Sequence, residues 1–278
     1  AVTEVTTYPD GDVVTVKTEK DGTVTAEVKA NSEKDVVLPI EPTEDIIVVS
    51  FTDENGRTTY TDEFTESDEG IAVTANGNVK ISVIQSERAL YTDVHNNNHW
   101  AAKSVDFVGA LGIMKGIGDD KFAPDSHLTR AMLVTMLYRA DGEPEVETVN
   151  SFGDIKENAW YEKAVLWAKE NGIVNGVTET EFSPDSDITR EQIATIMHRY
   201  AKYKGDDVES GKNTNILSYN DSDSISDYAK ASLQWANGIG LINGKTESTL
   251  NPLDNATRAE AATIFYRFVK ANLISTQN

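Results

Sequence analysis

The sequence predicts two domains, an all-β sandwich-like unit followed by an all-α region built from three repeats. Three observations carry this. Residues up to about 88 alternate apolar and polar side chains with a period of two, the signature of half-buried strands. Beyond about residue 90 the period becomes helical, and Gly and Pro rather than hairpin turns punctuate it. Within that second stretch the dipeptide Thr-Arg recurs at 129–130, 189–190 and 257–258, with the same residue types at fixed distances around it. The boundaries that follow are 1–88 for the β unit and 89–149, 150–213 and 214–278 for the repeats.

In chain order, the alternating runs are VVTVK at 13–17, TVTAEVKA at 23–30, DVVLPI at 35–40, DIIVVSFT at 45–52, RTTYTDEF at 57–64, GIAVTA at 70–75 and NVKISVIQ at 78–85. Turn signals separate several of them: PDGD at 9–12, KDG at 20–22, DENG at 53–56 and NGN at 76–78 supply the positive-φ residues that tight hairpins need. Six or seven antiparallel strands in a small sandwich are expected. Residues 1–90 hold 7 basic and 19 acidic side chains with no His or carboxylate cluster at catalytic spacing, so these charges read as a solvated face.

The repeats are in register over thirty residues. Pro124, Pro184 and Pro252 lie six positions before the arginine, Gly116, Gly176 and Gly244 fourteen before, and Gly112, Gly172 and Gly240 eighteen before. Trp100, Trp160 and Tyr228 lie thirty before. Each unit opens on YTDV at 91, FGDI at 152 or YNDS at 219, which places Asp93, Asp154 and Asp221 shortly before the aromatic. A first helix is predicted from that aromatic to the glycine, as in WYEKAVLWAKENG at 160–172 with its Asn-Gly stop. A second helix begins at Thr-Arg, where Thr189 with Gln192 and Thr257 with Glu260 have the pattern of a capping box. Met132 occupies that position in the first unit, so its cap lacks the reciprocal half.

The whole chain carries 25 basic and 46 acidic residues, a net charge of −21, which argues against nucleic acid or an anionic membrane as a whole-surface partner. Absence of cysteine excludes a disulfide framework, thiol chemistry and cysteine metal sites. No run approaches the roughly 20 apolar residues that span a bilayer. The first residues, AVTEVTTYPD, lack the pattern of a signal peptide, so an exported form would be a mature or trimmed chain.

All six arginines after residue 90 fall at two repeat positions, 130, 190, 258 and 139, 199, 267. The later set suits the negative end of the helix macrodipole and reads as structural. The earlier set, in the first turn, opposes the macrodipole, so something else must keep it there. A first-turn guanidinium beside free backbone amides is a ready site for a carboxylate or phosphate. An ion pair to Asp93, Asp154 or Asp221 of a neighbouring unit would explain it equally well. Those aspartates could equally serve as turn or cap residues, and Trp100 and Trp160 could be core anchors, the commoner fate of a helix-facing tryptophan.

The threefold unit, with [FY]-x-D-[VI], W-[AY], G-[IV]-x-x-G, F-x-P-D and T-R-[AE]-x, resembles the S-layer homology domain over about residues 91–275. That resemblance implies a pseudo-threefold α-helical trimer of repeats whose grooves bind the secondary cell wall polymer linked to peptidoglycan, often through pyruvylated N-acetylmannosamine. It implies that Arg130, Arg190 and Arg258 meet the pyruvyl carboxylate, and that Gly116, Gly176 and Gly244 let the backbone approach the sugar. Asp93, Asp154 and Asp221, with Trp100, Trp160 and Tyr228, would shape the grooves. A noncatalytic, secreted anchor at the bacterial cell surface follows, with S-layer neighbours as further partners. The sequence departs from the pattern: 129–132 reads TRAM and 189–192 TREQ, while the third unit has Tyr228 for Trp, Leu250 for Phe and the insertion SDSIS after Asp221.

Other functions fit less well. No carboxylate pair stands out as the two that a glycosidase needs, so no enzyme is expected. His95 and His99 do not share a repeat position with the other histidines, and DSDSISD at 221–227 lacks the turn glycine and distal Glu of a calcium loop, so no metal or other cofactor is expected. The remaining alternative is an S-layer lattice module that packs protein on protein without recognising carbohydrate.

Overall fold

The computed structural model describes residues 1–274. One compact unit holds residues 1–89, and a second holds most of residues 90–271.

The first unit contains nine strands: β1 (Val2–Thr7), β2 (Val13–Thr18), β3 (Val24–Lys29), β4 (Lys34–Leu38), β5 (Ile46–Asp53), β6 (Thr58–Thr61), β7 (Thr65–Ser67), β8 (Gly70–Ala75) and β9 (Val79–Ser86). A six-stranded sheet runs β1-β2-β3-β9-β5-β6 and a three-stranded sheet runs β4-β8-β7, with every pair antiparallel. Inward side chains of both sheets, among them Val28, Val49 and Ile81 from one and Leu38, Ile71 and Val73 from the other, form a single hydrophobic core. All seven expected runs form strands. The two additional ones, β1 and β7, are exposed along their whole length, so neither carries the apolar alternation that marks a buried face.

Among the described residues the second unit contains six α-helices: α1 (Ala102–Ala110), α2 (Arg130–Ala140), α3 (Glu162–Glu170), α4 (Arg190–Lys204), α5 (Lys230–Gly238) and α6 (Arg258–Ile274). Each repeat supplies one short helix and one that begins at its Thr-Arg arginine. The short helices start two residues beyond the aromatic rather than at it, and bury Phe107, Trp167 and Trp235 at one shared position. Each repeat reverses at Gly112, Gly172 or Gly240, with φ of 70°, 67° and 73°, which a side chain would strain. Single 3-10 turns at Ser222–Ser224 and Asp227–Ala229 accommodate the insertion of the third repeat.

The capping pattern follows the sequence. The Thr189 hydroxyl accepts from the Gln192 amide while the Gln192 side chain accepts from the Thr189 amide. Thr257 and Glu260 exchange the same two bonds, 3.2 and 2.9 Å. Thr129 accepts from Met132, and Met132 offers no acceptor in return.

Backbone hydrogen bonds join the repeats into a closed ring. The Ile188 amide donates to the Leu128 carbonyl (2.9 Å), Ala256 to Ile188 (3.0 Å) and Leu128 to Ala256 (2.8 Å). A helix start leaves its first amides without intrahelical partners. Here the next repeat supplies them, for Arg130 bonds Ser186, Arg190 bonds Asp254 and Arg258 bonds Ser126, at 3.0, 3.0 and 2.9 Å. The following amides, of Ala131, Glu191 and Ala259, donate to Pro184, Pro252 and Pro124. The recurring proline is thus a carbonyl acceptor for the neighbouring helix.

Candidate functional site

Arg130, Arg190 and Arg258 extend from the same helix starts into the next repeat, where they are 8%, 6% and 6% exposed. Arg130 Nε donates to the Phe182 carbonyl (2.9 Å) and Nη2 to Asn175 (3.2 Å). Arg190 reaches Leu250 (3.1 Å) and Asn243 (2.6 Å), and Arg258 reaches Phe122 (2.8 Å) and Lys115 (2.9 Å). Burial pulls each guanidinium below its ordinary pKa, with nearby acidic groups acting the other way. Two arginines also lie over an aromatic face, Arg130 at 4.8 Å from the Phe182 ring centre and Arg258 at 4.6 Å from that of Phe122. Leu250 gives Arg190 no such face.

The aspartates hold the other side of the same residues. Asp93 accepts the amides of Phe122 (2.9 Å) and Ala123 (2.8 Å), Asp154 those of Phe182 (2.9 Å) and Ser183 (2.6 Å), and Asp221 those of Leu250 (2.9 Å) and Asn251 (2.7 Å). In each unit one residue therefore gives its amide to its own aspartate and its carbonyl to the arginine of the preceding repeat in the ring. The arginines lock the repeats together, but through backbone carbonyls rather than through the Arg–Asp ion pairs that the spacing also allowed. Ala123, Ser183 and Asn251 sit at φ of 56°, 59° and 55°, a left-handed turn without glycine that the carboxylate holds in place.

Gly116, Gly176 and Gly244 lie where the loop folds back on itself. A Cβ at Gly176 would overlap the Thr178 and Glu181 carbonyls and the Phe152 ring, one at Gly116 would meet Tyr91, and one at Gly244 the Thr246 carbonyl and Tyr219. Each glycine thus seats the aromatic that opens its unit.

Trp100, Trp160 and Tyr228 are 64%, 61% and 55% exposed, so the core-anchor alternative fails for both tryptophans. The interior is filled instead by the next residue, Ala101, Tyr161 or Ala229. Trp160 stands edge-on to Tyr161 with ring centres 5.1 Å apart, and Trp100 lies 5.4 Å from His99. Two of the late arginines act within their own units: Arg139 and Arg267 donate to the Ile113 and Leu241 carbonyls just beyond the short helix, each at 3.4 Å.

Two carboxylates absent from the predicted set join this region. Glu191, in TREQ, is 2% exposed and accepts the Tyr228 hydroxyl (2.8 Å) and the Ser226 amide (3.0 Å). Glu260 lies 3.7 Å from Arg190 and 3.6 Å from Lys245. The departure of 189–192 from the repeat pattern was the available signal for Glu191. Its cross-repeat partner, thirty-seven residues away, leaves no mark in local spacing. His95 bonds Asp106 (2.9 Å) and the Tyr91 amide (3.0 Å). Among the described residues no group of three or more His, Asp or Glu is placed to hold a metal ion, and no helix is long and apolar enough to cross a membrane.

Comparison with known proteins meets this geometry at the same residues. The model of the S-layer homology domain matches residues 90–131, 151–194 and 218–262. "Exoglucanase XynX" of Acetivibrio thermocellus is 32% identical over 189 residues, 67% of this chain and 17% of that protein. "Surface-layer 125 kDa protein" of Lysinibacillus sphaericus is 30% identical over 187 residues, 66% of this chain and 15% of its own length. "Cellulosome-anchoring protein" of Acetivibrio thermocellus is 24% identical over 158 residues, covering 55% of this chain and 34% of that protein. The chain spans only a small part of each relative's length. With three matched units, each built on the same aspartate, glycine, proline and arginine, the chain belongs to the S-layer homology domain family.

Proposed function

We propose that residues 90–274 form a pseudo-threefold, noncatalytic anchor that holds its parent protein at the bacterial cell surface by binding the secondary cell wall polymer, through a pyruvylated N-acetylmannosamine-type glycan. The observation that carries this is the exposure of Trp100 and Trp160 at one repeat position. Packing has no need of them there, and an exposed aromatic with an apolar face and a rigid seat suits a sugar ring. The closed ring of backbone bonds supports the threefold arrangement. Enzymes and surface-layer proteins are both among the relatives, as expected of a module that anchors diverse cargo.

In this reading the buried arginines supply a fixed positive field for the ligand carboxylate while their Nε and one Nη hold the loop carbonyls. The aspartates and glycines shape the loop that the ligand meets. Several weak sites on one chain would together bind a polymer more tightly than any one alone.

Calorimetric titration with purified secondary cell wall polymer, before and after mild acid removal of pyruvate, tests the proposal. Binding lost with the ketal is the expected result; no binding to either form would transfer the function to protein-on-protein lattice contacts. Trp160→Ala leaves the arginine lock intact and is expected to cost that site about 1–2 kcal/mol, the worth of one aromatic face at roughly 25 cal/mol per Å². An unchanged affinity in that variant would remove the aromatic from the site.

A further inference from the structure

The three aromatic positions are not equivalent, and the difference lies in one buried carboxylate. Glu191 follows the first-turn arginine of the second repeat, where the other repeats have Ala131 and Ala259. It bridges the Tyr228 hydroxyl and the Ser226 amide across the boundary between the second and third repeats. By the same repeat correspondence, Ala131 takes the place of Glu191 with respect to Trp160, and Ala259 with respect to Trp100. Both tryptophans are somewhat more exposed as residues than Tyr228.

We infer that Glu191 is an internal carboxylate that closes the Tyr228 position to an anionic glycan, so that this chain binds its ligand at Trp100 and Trp160 alone. This rests on the anchoring function proposed above and adds to it a residue that sets how many sites are used. Two features of the structure converge on it. The Glu191 carboxylate holds the phenol and the amide in charge-assisted bonds, which removes two donors from any incoming ligand. A second carboxylate brought beside the buried Glu191 carboxylate meets repulsion that solvent screens less than between surface charges. The Tyr228 hydroxyl is correspondingly pushed up to about 12 by burial and by its bond to Glu191, so it stays a proton donor to that carboxylate at any physiological pH.

The test uses the whole chain and the methyl glycoside of pyruvylated N-acetylmannosamine as probe, with stoichiometry from calorimetry and the site identified from the indole N–H signals of the four tryptophans. Two equivalents are expected, with the signals of Trp100 and Trp160 shifted and those of the buried Trp167 and Trp235 unmoved. Y228A should leave the stoichiometry unchanged, whereas W100A and W160A should each remove one equivalent. The double variant E191A/Y228W, which gives the third position the residues of the other two, should gain an equivalent with affinity within about tenfold of theirs, a difference of roughly 1.4 kcal/mol. Three equivalents in the wild type, or loss of one in Y228A, would overturn the inference while leaving the anchoring function standing. An unchanged count in a folded E191A/Y228W, checked by its melting temperature, would also overturn it. Failure of the wild type to bind the probe at all would remove the anchoring reading and this inference with it.

Discussion

Asp93, Asp154 and Asp221 each commit both carboxylate oxygens to two consecutive amides of one turn. Burial pushes the Asp93 and Asp221 carboxyls up, but the paired amides outweigh it and hold both below the ordinary aspartate value. A carboxyl whose pKa is lowered on folding contributes stability that is complete above its unfolded value, near 3.8, and is lost as pH falls through the folded value. The repeats should therefore lose stability on acidification below about pH 4, and D93N or D221N should flatten that dependence while lowering stability at neutral pH. The cost is expected to be about 2–3 kcal/mol, because a neutral amide replaces a charged acceptor and turns one donor toward an amide it cannot satisfy. Denaturant titration at pH 7 and pH 3.5 measures both effects; equal pH dependence in wild type and D93N would show that the turn does not rely on the charge. The same turn explains why the arginine opposite cannot be exchanged freely. Its carbonyl partner is the residue whose amide the aspartate holds, so loss of either side loosens the other.

The elements divide into those that announce themselves and those that do not. Seven strands were legible because each buries one face, while β1 and β7 bury none and leave no alternation to read. The long helices were legible from Thr-Arg and its caps, and α2, α4 and α6 begin where Thr129, Thr189 and Thr257 put them. The short helices start later than the aromatic because the following residue, Ala101, Tyr161 or Ala229, turns inward and sets the first buried contact. Periodicity alone could not separate an aromatic just outside a helix from one within it. For the site, the repeat identified the arginines, aspartates and glycines, but not that Arg130 would find the Phe182 carbonyl fifty-two residues away. Cap quality is a separate prediction. Since Met132 leaves the Thr129 amide without the side-chain acceptor that Gln192 and Glu260 supply in the other repeats, M132Q should complete the box. A gain of about 0.5–1 kcal/mol is expected from thermal unfolding. No gain would mean that the Thr129 amide is already satisfied without the side chain.

Across the helical unit, the ring through Leu128, Ile188 and Ala256 makes each repeat the partner of both others, so the three do not have separate stabilities. In a linear array each unit would contact only its neighbours, and damage at one end would fade toward the other. In a closed ring it has no end at which to fade. A256P tests the difference, because proline removes the amide that donates to Ile188 while the Ala256 carbonyl remains for Leu128. The Ile188 carbonyl, in a residue with no solvent exposure, is then left without that partner, at a cost of about 1–3 kcal/mol. Ala256 leads directly into Thr257, so loosening of the backbone at 256 reaches the capping box of α6 and the seat of Arg258, whose guanidinium holds the Phe122 and Lys115 carbonyls of the first repeat. Hydrogen exchange should then rise in the first repeat, at the amides of Phe122 and Ala123 that Asp93 protects, as well as in the third. Faster exchange confined to residues near 256 would show instead that the repeats open independently and that the ring adds contact without cooperativity.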